Sequence, residues 1–180
     1  MPHMSAGYDT TTKLSGPLAN MVSQPASAAR QDAATVAPVV EQKSYSFSIG
    51  GGNRRFGIDT ALHLHDVTGQ TFDLPTAAGV APESPRYLLT TLSLDFKVGL
   101  LLLPHFDASG HFGPAGGFVI DRTDGSHAYA DGFRFGATAS LWWGHLATFV
   151  DVYQTTMVFT TGPAQGTSRM NGFTVGIALR

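Results

Sequence analysis

The sequence predicts an all-β protein: an antiparallel up-and-down transmembrane β-barrel of about eight strands, preceded by a flexible N-terminal segment. Three observations carry this reading. Apolar residues alternate with polar or very small ones in tract after tract; the polar side is built from Gly, Ser, Thr and Ala; and the tracts run to about 9–12 residues, the length of a tilted bilayer crossing.

Composition agrees. Charged residues make up 13% of the 180, against about 25% in ordinary soluble domains, which leaves little charge to solvate a surface. The length suits one domain with a real core. A net charge of -2 without any Lys/Arg cluster argues against a nucleic-acid partner. The absence of cysteine excludes disulfides and thiolate metal sites. The longest apolar run, VGLLLL at 98–103, is strand length and far short of a membrane helix. The opening MPHMSAGYDTTTK lacks the apolar stretch of a secretory signal peptide, so the chain reads as not exported or as a mature or recombinant form.

Residues 1–43 are rich in Ala, Ser, Thr, Gln and Pro without a sustained period and read as a flexible leader or linker; VAPVV at 36–40 is the one strand-like run in them. From Ser44 the texture changes. SYSFSI puts Tyr45, Phe47 and Ile49 on one face, and GGGN at 50–53 makes a turn or bulge. In RFGIDTALHLHD, Phe56, Ile58, Thr60, Leu62 and Leu64 share one face, with Asp59, His63 and His65 on the other. Residues 67–86 carry three prolines and form a long loop. LTTLSLDFKVGL at 89–100 is the clearest strand: Leu92, Leu94, Phe96, Val98 and Leu100 oppose Thr91, Ser93, Asp95, Lys97 and Gly99. Pro104 to Gly110 interrupts, 110–121 reads as a glycine-rich strand, and 122–128 as a loop. Phe133, Phe135, Leu141 and Trp143 then oppose Arg134, Thr138 and Ser140; Gly144-His145 turns the chain into a second strand from Leu146. A loop at 161–169 leads to NGFTVGIALR, where Phe173, Val175, Ile177 and Leu179 share a face.

The direction of the apolar side follows from the polar one. Water-facing strands carry Lys and Glu, whereas small residues with a few paired charges fit the cramped interior of a narrow barrel. On LTTLSLDFKVGLLLLPHF, GFRFGATASLWWGHLATFVDVYQTT and NGFTVGIALR, residues 44–180 resemble a small bacterial outer-membrane β-barrel protein. The resemblance implies a barrel in the outer membrane of a Gram-negative bacterium, with short periplasmic turns, longer extracellular loops and an even number of strands. Seven strands are directly legible, so the eighth comes from 36–40, or 44–66 is one bulged strand, or part of the barrel is missing. The family's last strand ends in an aromatic residue and this one ends in Arg180, which points to a truncated barrel domain over 44–180.

Asp151 shares a face with Phe149 and Tyr153; because charge is costly in lipid, it is expected inward with Asp59, Asp95, Lys97 and Arg134 as a lumen charge network. Tyr129, Trp142, Trp143, Tyr153 and Phe159, near strand ends, are expected to form an aromatic girdle. His63 and His65 share a face at a spacing that binds metal once a third ligand arrives, and the sequence shows none, so interior hydrogen bonding or a rim position is expected. GGGN and GPAGG lack the lysine of a phosphate loop. Ser126 and His127, with Asp124 and Asp131 nearby, are the sole local candidates for catalysis, but neighbours on a strand point to opposite faces. The chain is therefore expected to be non-catalytic, without cofactor or metal. Lipid would surround it, and a protein partner or a second copy would be met through loops 67–86 and 161–169. Two other functions fit the pattern: a soluble lipocalin-like carrier of a small apolar ligand, with the apolar side inward, or one part of a larger multi-chain barrel assembly.

Overall fold

The structure, a computed structural model, describes residues 2–19, 41–68, 86–122, 125–161 and 165–180. Eight strands follow in chain order: β1 (Pro2–Ser15), β2 (Glu41–Gly52), β3 (Phe56–Thr68), β4 (Arg86–Leu102), β5 (Phe106–Asp121), β6 (His127–Trp143), β7 (Leu146–Phe159) and β8 (Gly166–Leu179). Each pairs antiparallel with the next, and β1 pairs with β8 to close the ring. Register tilts the strands. The line of partners from Gly52 through Gly57, Lys97, His111, Gly136, Tyr153 and Gly172 arrives at Thr11, about ten residues beyond where it left β1 beside Pro2, the shear of a narrow eight-stranded barrel.

Period-two alternation decides what each strand shows. Leu100 is 70% exposed and Ile49 64%, and Phe47, Leu94, Phe135 and Val152 are exposed beside them, so the barrel wears an apolar belt. Arg134, Asp151, Ser93 and Thr155 are buried inside. This is the inverse of a soluble barrel, and it overturns the lipocalin-like expectation, in which the apolar side would line a cavity. The ring also closes within one chain, which overturns the multi-chain barrel.

The expectation of a flexible 1–43 is corrected at both ends. Pro2–Ser15 is the closing strand, and Glu41–Lys43 begin β2. β1 was hard to read because its outward residues, Met4, Ala6, Tyr8 and Thr10, form a weakly apolar face, while backbone pairing to two neighbours holds it. It supplies the eighth strand, and the run at 36–40 lies outside the described residues. β5 starts earlier than expected, at Phe106, and β8 at Gly166, because ladder hydrogen bonds continue where the apolar pattern fades.

The connections sort by end. Those at 53–55, 103–105 and 144–145 share one end with Pro2 and Arg180; those at 16–40, 69–85, 122–126 and 160–165 share the other. Gly144 takes φ +65 in the two-residue turn, a conformation that side chains with a Cβ resist. At the long-loop end the lumen holds an apolar core of Val67, Leu89, Val119, Phe159 and Met170, capped by Leu18 from a helical turn at 17–19 whose N–H donates to Ser168 Oγ at 3.0 Å. That end of the barrel is plugged.

The belt makes a depth-dependent prediction. Leu94→Arg, mid-belt, is expected to cost about 2–4 kcal/mol, and Val98→Arg, nearer the short-turn border, about 0–1 kcal/mol. Urea unfolding of the barrel in lipid vesicles checks both, and equal costs would count against the belt's placement.

Candidate functional site

The chemistry-bearing side chains meet inside the barrel, below the apolar plug. Arg134 on β6 is their centre: alternation turns it inward, where it is 4% exposed. Its Nη2 donates to Asp151 Oδ2 at 2.8 Å, its Nη1 donates to His63 Nε2 and lies 3.8 Å from Asp95 Oδ2, and its guanidinium sits 4.3 Å from the centre of the Tyr153 ring. Asp151 on β7 also accepts from Thr138 Oγ1 and His111 Nε2, each at 2.8 Å. His111 Nδ1 faces Asp95 Oδ2 at 3.6 Å, and Ser93 donates to Asp95 at 3.1 Å. Small residues make room for this cluster. A Cβ on Gly136 would come within 2.6 Å of the His111 ring, and one on Gly172 within 2.5 Å of the Tyr153 hydroxyl.

On the long-loop side of Arg134, β1 brings in Asp9. Its Oδ2 accepts from His63 Nδ1 at 2.6 Å and its Oδ1 from the Tyr153 hydroxyl at 2.7 Å, and His65 Nε2 lies 3.7 Å away. The rings of His63 and His65 stack, and His65 Nδ1 meets Ser44 Oγ at 3.1 Å. On the short-turn side, Asp59 is shared by Lys97 Nζ at 3.0 Å and His3 Nε2 at 2.7 Å. Below these, Arg54 ties two turns together through Asp107 and the Leu103 carbonyl.

The five expected lumen charges thus all lie inside, but in two groups. Arg134, Asp151 and Asp95 converge, whereas Lys97 is paired with Asp59. Asp95 and Lys97 stand two apart on one strand face, and the tilt carries Lys97 toward β3 instead. The girdle expectation is corrected for Tyr153 and Phe159, which are buried in the lumen: odd-numbered residues of β7 point inward with Asp151. Trp142 is half-buried and faces a lumen cavity, with Arg180 stacked 4.0 Å from its ring, while Trp143 and Tyr129 are exposed on the belt. Tyr8 and Tyr45 are exposed in edge contact across β1 and β2; the sequence reading placed Tyr45 on the apolar face with Phe47 and Ile49 but missed Tyr8. It also missed Asp9, which shares β1's inward face with Ser5 and Gly7, and His111, which shares that of β5 with Gly113 and Ala115.

Two arrangements resemble reactive sites. Asp9, His63 and His65 each offer a ligand atom within 4.8 Å of the others, so β1 supplies the third ligand the sequence did not show. The proton positions oppose a metal there. An arginine only donates, so His63 Nε2 accepts and its Nδ1 carries the proton that goes to Asp9, leaving no lone pair for a cation beside a fixed positive charge. Ser44, His65 and Asp9 form a Ser–His–Asp chain of contacts, but all three are fully buried and out of a substrate's reach. Ser126 and His127 are exposed at the long-loop end, Asp131 points outward, and Asp124 lies outside the described residues. A cavity of about 90 Å³ remains in the short-turn half, lined by His3, Asp59, Lys97, His111, Trp142 and Thr174 among others. It has room for a few waters.

No protein-family model and no curated protein sequence matches the chain. Among solved structures it is similar to Ail, the attachment invasion locus protein of Yersinia pestis, at TM-score 0.54 and 8% identity, over 99% of this chain and 96% of that one. The complex of Ail with the heparin analogue sucrose octasulfate gives TM-score 0.56 at 7% identity, again over 99% and 96%. Neisserial surface protein A gives 0.59 at 8% identity, over 99% of this chain and 94% of that one. The chain therefore has the fold of the small bacterial outer-membrane barrels, and at these identities the likeness is one of fold.

Arg134→Met removes the centre of the network and leaves Asp151 and Asp95 buried without their cation. An expected loss of about 3–5 kcal/mol in urea unfolding contrasts with about 1 kcal/mol or less for Lys97→Met, whose ammonium is partly exposed. Comparable losses for the two would contradict the central role of Arg134.

Proposed function

We propose that this chain is a non-conducting, non-catalytic outer-membrane β-barrel that anchors the connections at its long-loop end for structural or binding work. The single observation behind the reading is the pairing of an exposed apolar belt with a filled lumen: the outside fits hydrocarbon, while the inside is closed by Leu18, Phe159 and Met170 and laced by ion pairs. The Ser44–His65–Asp9 chain and the Arg134 cluster are buried beneath that plug. What remains for an outside partner is the long-loop end, where the connections 16–40 and 69–85 emerge beside 122–126 and 160–165. Protein partners or a second copy would meet the barrel there, through 67–86 and 161–169 among others. That Ail has been solved with a polyanionic ligand supports the notion that this fold presents binding surfaces.

Cell fractionation is expected to place the protein with outer membranes, its gel mobility to change on boiling, and planar bilayers holding it to stay electrically silent. Steady single-channel conductance would sink the non-conducting reading, and full solubility without detergent the membrane one.

A further inference from the structure

The apolar belt ends unevenly. On β2, β1 and β8, three consecutive strands of the ring, its long-loop border carries exposed, outward Lys43, Lys13 and Arg169. Register brings them close: Asp9 faces Ser44, which sets Lys43 beside Thr10; Lys13 faces Asn171, and Ser15 faces Arg169. Next to the cations stands an amide pair, Gln154 Nε2 donating to Asn171 Oδ1 at 2.7 Å, where β6 at the same register carries Phe135. Thr12 and Thr156 flank it. Asp66, opposite Lys43, lies 3.6 Å from Arg122. Below the cations, the exposed rings of Tyr8 and Tyr45 lead back into the belt.

We propose that this patch on β2, β1 and β8 binds the phosphorylated sugar headgroup of an outer-leaflet glycolipid, whose acyl chains lie along the belt. The proposal rests on the transmembrane reading, with the long loops outside. Charge complementarity calls for phosphate, since three cations cluster at a membrane border and, among the described side chains, the carboxylate beside them, Asp66, is already engaged by Arg122. The hydroxyl-rich sugar follows from the neighbours. Two side-chain amides and the Thr156 hydroxyl supply neutral donors and acceptors that the small glycerol headgroup of a phospholipid would leave mostly unused; the amide pair spends only one donor and one acceptor on itself, and Thr12, which donates to the Asn171 carbonyl at 3.2 Å, adds an acceptor. The tyrosines present apolar bodies to acyl chains and hydroxyls to the headgroup layer.

The test uses the full chain refolded in micelles containing diphosphorylated lipid A, dephosphorylated lipid A or phosphatidylglycerol, with bound lipid counted by native mass spectrometry. The wild type is expected to retain diphosphorylated lipid A about tenfold or more over the other two. Lys13→Gln with Lys43→Gln and Arg169→Gln should abolish that preference while the boiling-dependent gel mobility persists, and Arg55→Gln with Arg180→Gln, at the short-turn end, should keep it. Equal retention of phosphorylated and dephosphorylated lipid A, equal loss in both variants, or phosphatidylglycerol retained as well as lipid A would each overturn the site. A wild type that neither enters vesicles nor changes mobility on boiling would overturn the transmembrane reading itself, and the site with it.

Discussion

Hydrocarbon offers no water to a strand edge, so a sheet in a bilayer is stable only if every strand finds a neighbour on both sides. Here that condition is met by β1. Pro2–Asp9 pair with β2 and Met4–Ser15 with β8, which would otherwise be the two open edges of a seven-stranded sheet. Closure with this tilt leaves a lumen so narrow that side chains must fill it. Belt, plug and ion network all follow from that ring.

Filling a narrow tube with charge works only where each charge is met. Arg134 is buried, yet its donors reach Asp151 and His63 and its face covers Tyr153. Asp151 in turn is held by His111 and Thr138 from neighbouring strands. Such pairs add little net energy over an apolar filling, but breaking one is costly, so they fix how the strands sit against one another. The apolar side chains gather at the long-loop end instead, where Leu18 closes over Phe159 and Met170. The lumen side chains thereby tie the strands to one another along the whole length of the barrel.

Much of this was legible because a β-strand has a period of two and the bilayer penalises charge on one side. The inward positions of Asp59, Asp95, Lys97, Arg134 and Asp151 follow from parity alone. Parity also contained the correction for Tyr153 and Phe159, which share it with Asp151; reading them as girdle residues weighed their nearness to strand ends above their face. β1 resisted, since Met4, Ala6, Tyr8 and Thr10 make a faint apolar stripe that only its two neighbours reveal as a strand.

By itself, then, the sequence determined the fold class, the strands from β2 to β8 and the sidedness of nearly every residue on them, because alternation and small-residue content are local properties. The partners were decided by tertiary structure. Whether Lys97 meets Asp95 or Asp59, whether Asp9 joins His63, and whether Lys13, Lys43 and Arg169 form one patch depend on register and tilt, which bring together residues as far apart in the chain as Asp9 and Tyr153. No window of sequence holds that information, because register is set when the ring closes and all eight strands must pair at once.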